Sequence, residues 1–217
     1  MKKFSVFVFM SLLFSFHAFA QNDDLLLSIQ DTAKKAPLLP SRMIFTQRFL
    51  WGEHGLLRAT GIVPLNDLNR EKELKARRAM LVTHQVLGYV TLAGMIAQGI
   101  VGQQLYNVLG NKTYTKGGPG KSLNSLHGEL AAGVNITYFT TAAMSLFAPP
   151  PLINRKSKKI SSIRMHEDLA IIHFTAMVAT NVLASYARRD PTMRAYHRDA
   201  AYTAFSAFTL AMIVMKF

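Results

Sequence analysis

The chain has 217 residues, half of them apolar and only 17% charged, with a mean hydropathy of +0.16. The apolar residues gather in long uncharged runs, which excludes a disordered chain and argues against a water-soluble globule. The absence of cysteine excludes disulfide scaffolds, thiolate metal sites, iron–sulfur clusters, covalently attached haem and cysteine nucleophiles, and the net charge of +13 reads as Lys and Arg at lipid headgroups rather than as a nucleic-acid surface.

Residues 1–20, MKKFSVFVFMSLLFSFHAFA, have the order of an export signal. Lys2 and Lys3 form a basic start, an apolar stretch follows, and Ala18-Phe19-Ala20 fits a small-x-small cleavage site. The apolar segment is short for a span, which favours cleavage over a retained anchor. The mature N-terminus is then expected outside the inner (plasma) membrane. The Lys and Arg of the later flanks lean mildly the other way, but that bias is small and the signal decides.

Residues 21–78 contain no uncharged run long enough to cross a bilayer and are marginal in size for an independent domain. They read as a short extracytoplasmic leader. Its segment MIFTQRFLWGEHGLLRATGIVPL, with the single tryptophan Trp51, reads as interfacial or packed on the membrane domain. Residues 66–78 predict a charged helical lead-in, with Glu71 and Lys75 four apart on one face.

Four uncharged runs make up the domain 79–217: 79–102, 130–154, 169–187 and 200–215. About 20 residues cross a hydrocarbon core. Pro149-Pro150-Pro151 should end the second helix near Ala148. Asp190-Pro191 is a cap and first-turn pair that moves the start of the last helix back to about Pro191. The connections are short and polar, so the expected fold is all-α: a four-helix, up-down, multi-pass transmembrane bundle.

Each run has a histidine near its N-terminal end: His84, His127, His166 and His197. Ionisable groups inside spans are costly and mark functional sites. Successive helices alternate in direction, so His84 and His166 belong to one layer and His127 and His197 to the opposite one. Two histidines from facing helices supply both axial ligands of a haem iron, so two layers predict two non-covalent b haems, with electron transfer as their natural role. Four residues after each histidine stands a small residue, Gly88, Ala131, Ala170 or Ala201, on the same helix face, where a flat macrocycle needs room. His173 competes with His166 for the third ligand position. It is about 10 Å deeper along the helix, and its following neighbour is the bulky Met177.

The pieces LVTHQVLGYV, LHGELAAG, MHEDLAIIHF and YHRDAAY resemble the histidine-plus-small-residue contexts of the cytochrome b561-type membrane proteins. The resemblance covers about residues 76–217 and lies in helix order and histidine placement. It implies two b haems, ligated by His84 with His166 and by His127 with His197, and electrons moved across or within the membrane from a quinol or ascorbate-like donor, with redox partner subunits. Family members with six helices differ from this chain, which has four runs after the signal. A haem-free membrane scaffold or assembly subunit, its histidines only bridging helices, is the alternative, and a transporter with histidine proton relays is a third class.

Other motifs fail. GGPGKS lacks the spacing and the preceding strand of a phosphate loop, and His166-Glu167 lacks the second histidine of a zinc-protease helix. Asn135 and Asn181, inside the runs, read as interhelical hydrogen-bonding residues.

Overall fold

The computed structural model describes residues 37–110, 119–153 and 161–216. The chain divides into residues 1–37 and a unit Leu38–Phe217, and every described helix belongs to the second. The expected export signal lies outside the described residues, as do 111–118 and 154–160 of the polar connections. Among the described residues all regular structure is helical: α1 (Phe45–Trp51), α2 (Leu56–Ala59), α3 (Asp67–Gly110), α4 (Pro119–Leu146), α5 (Ser162–Ala187) and α6 (Pro191–Lys216).

The helix ends follow local chemistry. Asn66 caps α3 by accepting the Asn69 N–H at 2.8 Å, which satisfies one of the donors that a helix start leaves unpaired. The first turns carry the Glu71–Lys75 ion pair at 2.7 Å. Helix α4 stops at Leu146, just before Pro149-Pro150-Pro151, whose rings remove backbone donors. Ser161 caps α5 through the Arg164 N–H. Asp190 Oδ1 accepts the Thr192 N–H at 2.7 Å, with Pro191 as the first residue of α6.

Helix α3 packs on α4, α5 on α6, and α3 on α6. Gly94 allows the first approach to be close: a Cβ there would stand 2.9 Å from Val134 Cγ2. The core contains Met95, Val134, Tyr138, Ala176, Met177, Ala204 and Phe208, drawn from all four long helices. The outer surface is apolar as well. Val82, Val86, Val90, Ile100, Ile136, Ile171, Val182 and Ile213 are all exposed. Helices α3 and α5 are long and apolar enough to cross a membrane. Helix α4 is lowered in mean hydropathy by Asn135, Thr137, Tyr138, Thr140 and Thr141, and α6 by Arg194, Arg198 and Asp199 in its first turns.

Residues 38–66 pack where α3 starts and α4 ends. Gly61, at φ 70°, takes the left-handed conformation that glycine adopts without strain, just past α2. The C-terminal carbonyls of α4 lack intrahelical donors. Thr46 Oγ1 donates to the Leu146 carbonyl at 2.5 Å, and Trp51 Nε1 to that of Phe147 at 3.0 Å. Glu73 sits between two guanidinium groups, with Arg58 Nη1 at 2.6 Å and Arg70 Nη1 in contact with its other oxygen. All three side chains are at least 95% buried, their exposures being 5%, 4% and 2%, so each charge needs its partner. Arg70 also reaches the carbonyls of Leu38, Pro150 and Pro151. Arg77 Nη1 donates to Pro149 at 2.7 Å; burial, and then the charge of Arg70, hold that guanidinium below its usual pKa. Trp51 and Arg58 thus belong to a segment packed on the helical unit.

Candidate functional site

On α3, His84, Gly88, Thr91, Met95, Gln98 and Gly102 recur at intervals of three and four residues and so share one helix face. That face is turned inward: Gly88 is buried, Thr91 is 0% exposed and Met95 8%. The hydrogen bonds of the histidines fix the level of each helix against its neighbour. His84 Nδ1 lies 2.8 Å from the Thr141 carbonyl, His166 Nδ1 2.9 Å from that of Ala211, and His197 Nδ1 2.9 Å from that of Thr180. His127 Nε2 lies 3.3 Å from the Gln98 carboxamide nitrogen.

These contacts obey one rule. In each helix the histidine and the residue that touches the neighbouring helix's histidine are two heptads apart: 84 and 98, 127 and 141, 166 and 180, 197 and 211. The four helices therefore carry two layers, about 21 Å apart at 1.5 Å rise per residue. The two hairpins, α3–α4 and α5–α6, present them in the same way.

Within each layer the histidines of the two hairpins meet. The His84 and His166 ring centroids are 6.2 Å apart with an interplanar angle of 76°, and those of His127 and His197 are 6.3 Å apart at 78°. All four side chains are half-buried. A carbonyl only accepts, so His84, His166 and His197 carry a proton on Nδ1, and in the neutral ring the lone pair is then on Nε2. His127 differs, because its Nδ1 is buried without a partner, as is Gln98 Oε1.

His173 lies elsewhere. It is seven residues from both 166 and 180 and so stands midway between the layers, about 10 Å from each. Its Nδ1 is 2.6 Å from the Tyr138 hydroxyl, and its ring packs edgewise on Phe208 at 5.1 Å. Positions 91, 134 and 204 of the other helices fall at the same height, and Thr91, Val134 and Ala204 are all buried there. The His84 ring is thus placed against His166. Met177, which follows His173, is 6% exposed and belongs to the core.

The small neighbours fall near the layers. Gly88 is buried, yet a Cβ on it would meet no heavy atom within 4 Å, so space stands open beside it on the His84 face. Ala131, Ala170 and Ala201 are half-buried. Gly102 is tighter: a Cβ there would lie 2.9 Å from His127 Cε1 and 3.3 Å from its Nδ1. Asn135 and Asn181 exchange reciprocal amide hydrogen bonds of 2.9 Å between α4 and α5. Among the described residues no three His, Cys, Asp or Glu side chains converge as a metal site; the histidines come in twos.

The sequence reading does not single out Gln98, Tyr138 or the three carbonyls of Thr141, Thr180 and Ala211. Gln98 carries a signal, since it falls two heptads after His84 on the same stripe. The carbonyls carry none, because every residue has one. Comparison with family models, curated proteins and solved structures returns no match.

Proposed function

We propose that the chain is a b-type dihaem cytochrome of the membrane, built as a four-helix transmembrane bundle and passing electrons across or within the bilayer. The observation that carries this is the pair of matched His–His separations, 6.2 and 6.3 Å. Two imidazole nitrogens sharing one iron at about 2 Å, with each ring centre about 1.1 Å behind its nitrogen, would set the centroids about 6.2 Å apart.

The donor chemistry supports the same group. Ligating histidines usually donate the other ring N–H to a carbonyl, which fixes the tautomer, and His84, His166 and His197 do so. The open space at buried Gly88 supplies room beside one pair. Haem held by His84 with His166 and by His127 with His197 would supply a reversible one-electron couple. The chain's own part is to hold both nitrogens of each pair on diagonal helices. It also separates the layers by a packed level that contains Val134, Ala204 and Phe208 together with Thr91 and the Tyr138–His173 hydrogen bond.

The apolar outer surface supports a lipid environment, since a soluble protein rarely exposes so large an apolar area. We place the protein in the inner membrane with its mature N-terminus outside. The donor is a quinol or an ascorbate-like reductant, and redox partner subunits complete the path. A haem-free scaffold is the second reading, favoured by the same interhelical histidine–carbonyl bonds. Bridging needs one nitrogen per ring, however, and does not require the rings to meet in twos at one separation. The reduced-minus-oxidised spectrum of the purified protein tests the proposal: low-spin b-haem bands are expected, and a folded protein without them favours the scaffold.

A further inference from the structure

Three of the four paired histidines direct Nδ1 to a main-chain carbonyl at the position two heptads from the neighbouring helix's histidine. The fourth, His127, has residue 98 in that position, and there the pattern changes. Gln98 approaches with its side chain, and the contact it makes is to His127 Nε2, at 3.3 Å, which is the nitrogen the other three keep available. Two buried atoms are left without partners by this contact, the donor-or-acceptor His127 Nδ1 and the acceptor Gln98 Oε1. They are complementary, they belong to residues already in contact, and each unpaired buried polar atom is costly.

We propose that Gln98 is the positioning residue of the His127/His197 pair, its side-chain oxygen accepting the His127 Nδ1–H when the pair holds its iron. Turning the His127 ring and the carboxamide together pairs both orphaned atoms in one hydrogen bond. It also releases Nε2 from Gln98 and gives His127 the tautomer of its three counterparts. Gly102 leaves the nitrogen-bearing edge of the ring more room than any larger residue would, since a Cβ there would stand 2.9 Å from His127 Cε1 and 3.3 Å from its Nδ1. The two layers then differ in kind. His84 and His166 are oriented by main-chain carbonyls that cannot leave, and His127 by an amide that can rotate. The inference rests on the dihaem reading, and it assigns Gln98 no contact with iron.

The test compares Gln98→Leu with Gln98→Glu in the full chain, reading haem affinity and midpoint potential at each of the two centres. Outer-shell partners of this type change affinity by roughly 10–100-fold. Gln98→Leu is expected to weaken one site by that factor and shift its potential, while the His84/His166 centre stays unchanged and reports an intact fold. Gln98→Glu keeps an acceptor oxygen at the same reach and is expected to keep both haems. If Gln98 only filled space, Leu would be the milder change in an apolar interior and Glu the harsher, which is the reverse order. Two haems in the wild type, with both centres unaltered in Gln98→Leu or with Glu the more damaging variant, overturn this inference alone. A wild type that binds no haem overturns it together with the dihaem reading.

Discussion

Replacing His166 with alanine separates the two histidines of α5. The substitution removes an imidazole whose ring centroid stands 6.2 Å from that of His84. No other imidazole can replace it, because His173 is about 10 Å further along the helix and its Nδ1 is engaged by Tyr138 at 2.6 Å. The fold should survive, since the local loss is one hydrogen bond to the Ala211 carbonyl, worth about 1 kcal/mol. The effect on haem should be far larger. Losing an axial ligand costs at least the upper end of an outer-shell effect, about 100-fold in affinity or ~2.7 kcal/mol. Haem titration and electron paramagnetic resonance of His166→Ala should show one low-spin centre intact and the other high-spin or empty. His173→Ala should retain two low-spin centres. Two intact centres in His166→Ala, with one lost in His173→Ala, would refute the placement and move the ligand to the midplane.

Three further outcomes follow from particular contacts. Gly102→Ala places a methyl group 2.9 Å from His127 Cε1, so the ring must shift; haem affinity should fall roughly tenfold at that centre alone, and equal loss at both would contradict this. Glu73→Gln leaves the buried guanidinium groups of Arg58 and Arg70 without a counter-charge, a loss of about 3 kcal/mol that should loosen the leader; limited proteolysis between residues 38 and 66 should quicken, and an unchanged cleavage rate would count against the clamp. The reciprocal Asn135–Asn181 bonds should give a coupling of about 0.6–2 kcal/mol in a double-mutant cycle of thermal stability, and additive losses would show that the two amides do not act as a pair.

The parts of this molecule that local chemistry decides are legible in its sequence. Three consecutive prolines stop α4, and Asp190-Pro191 starts α6, because caps and missing donors act within a few residues. The alternation of helix direction assigns His84 with His166 and His127 with His197 to layers, and the rings lie in those pairs. Periodicity alone leaves His173 open, since it shares a face with His166. Its exclusion from the pair comes from height: midway between the layers it meets Tyr138, a residue of α4 whose approach depends on how the hairpins dock. Gln98 is hidden for a related reason. Its position two heptads after His84 has meaning only once the packing of α3 on α4 has set the level of His127. The leader is the least legible part, because the Arg58–Glu73–Arg70 cluster ties the four-residue α2, too short to show a hydrophobic period, to the start of α3.

In the proposed function each of the two histidine pairs holds one haem. The most direct measurement is haem per chain in protein purified from haem-sufficient cells, set against an independent protein quantification. Two non-covalent b haems per chain are expected. A monodisperse, fully helical protein that carries none would contradict the proposal and leave the histidines as bridges between helices.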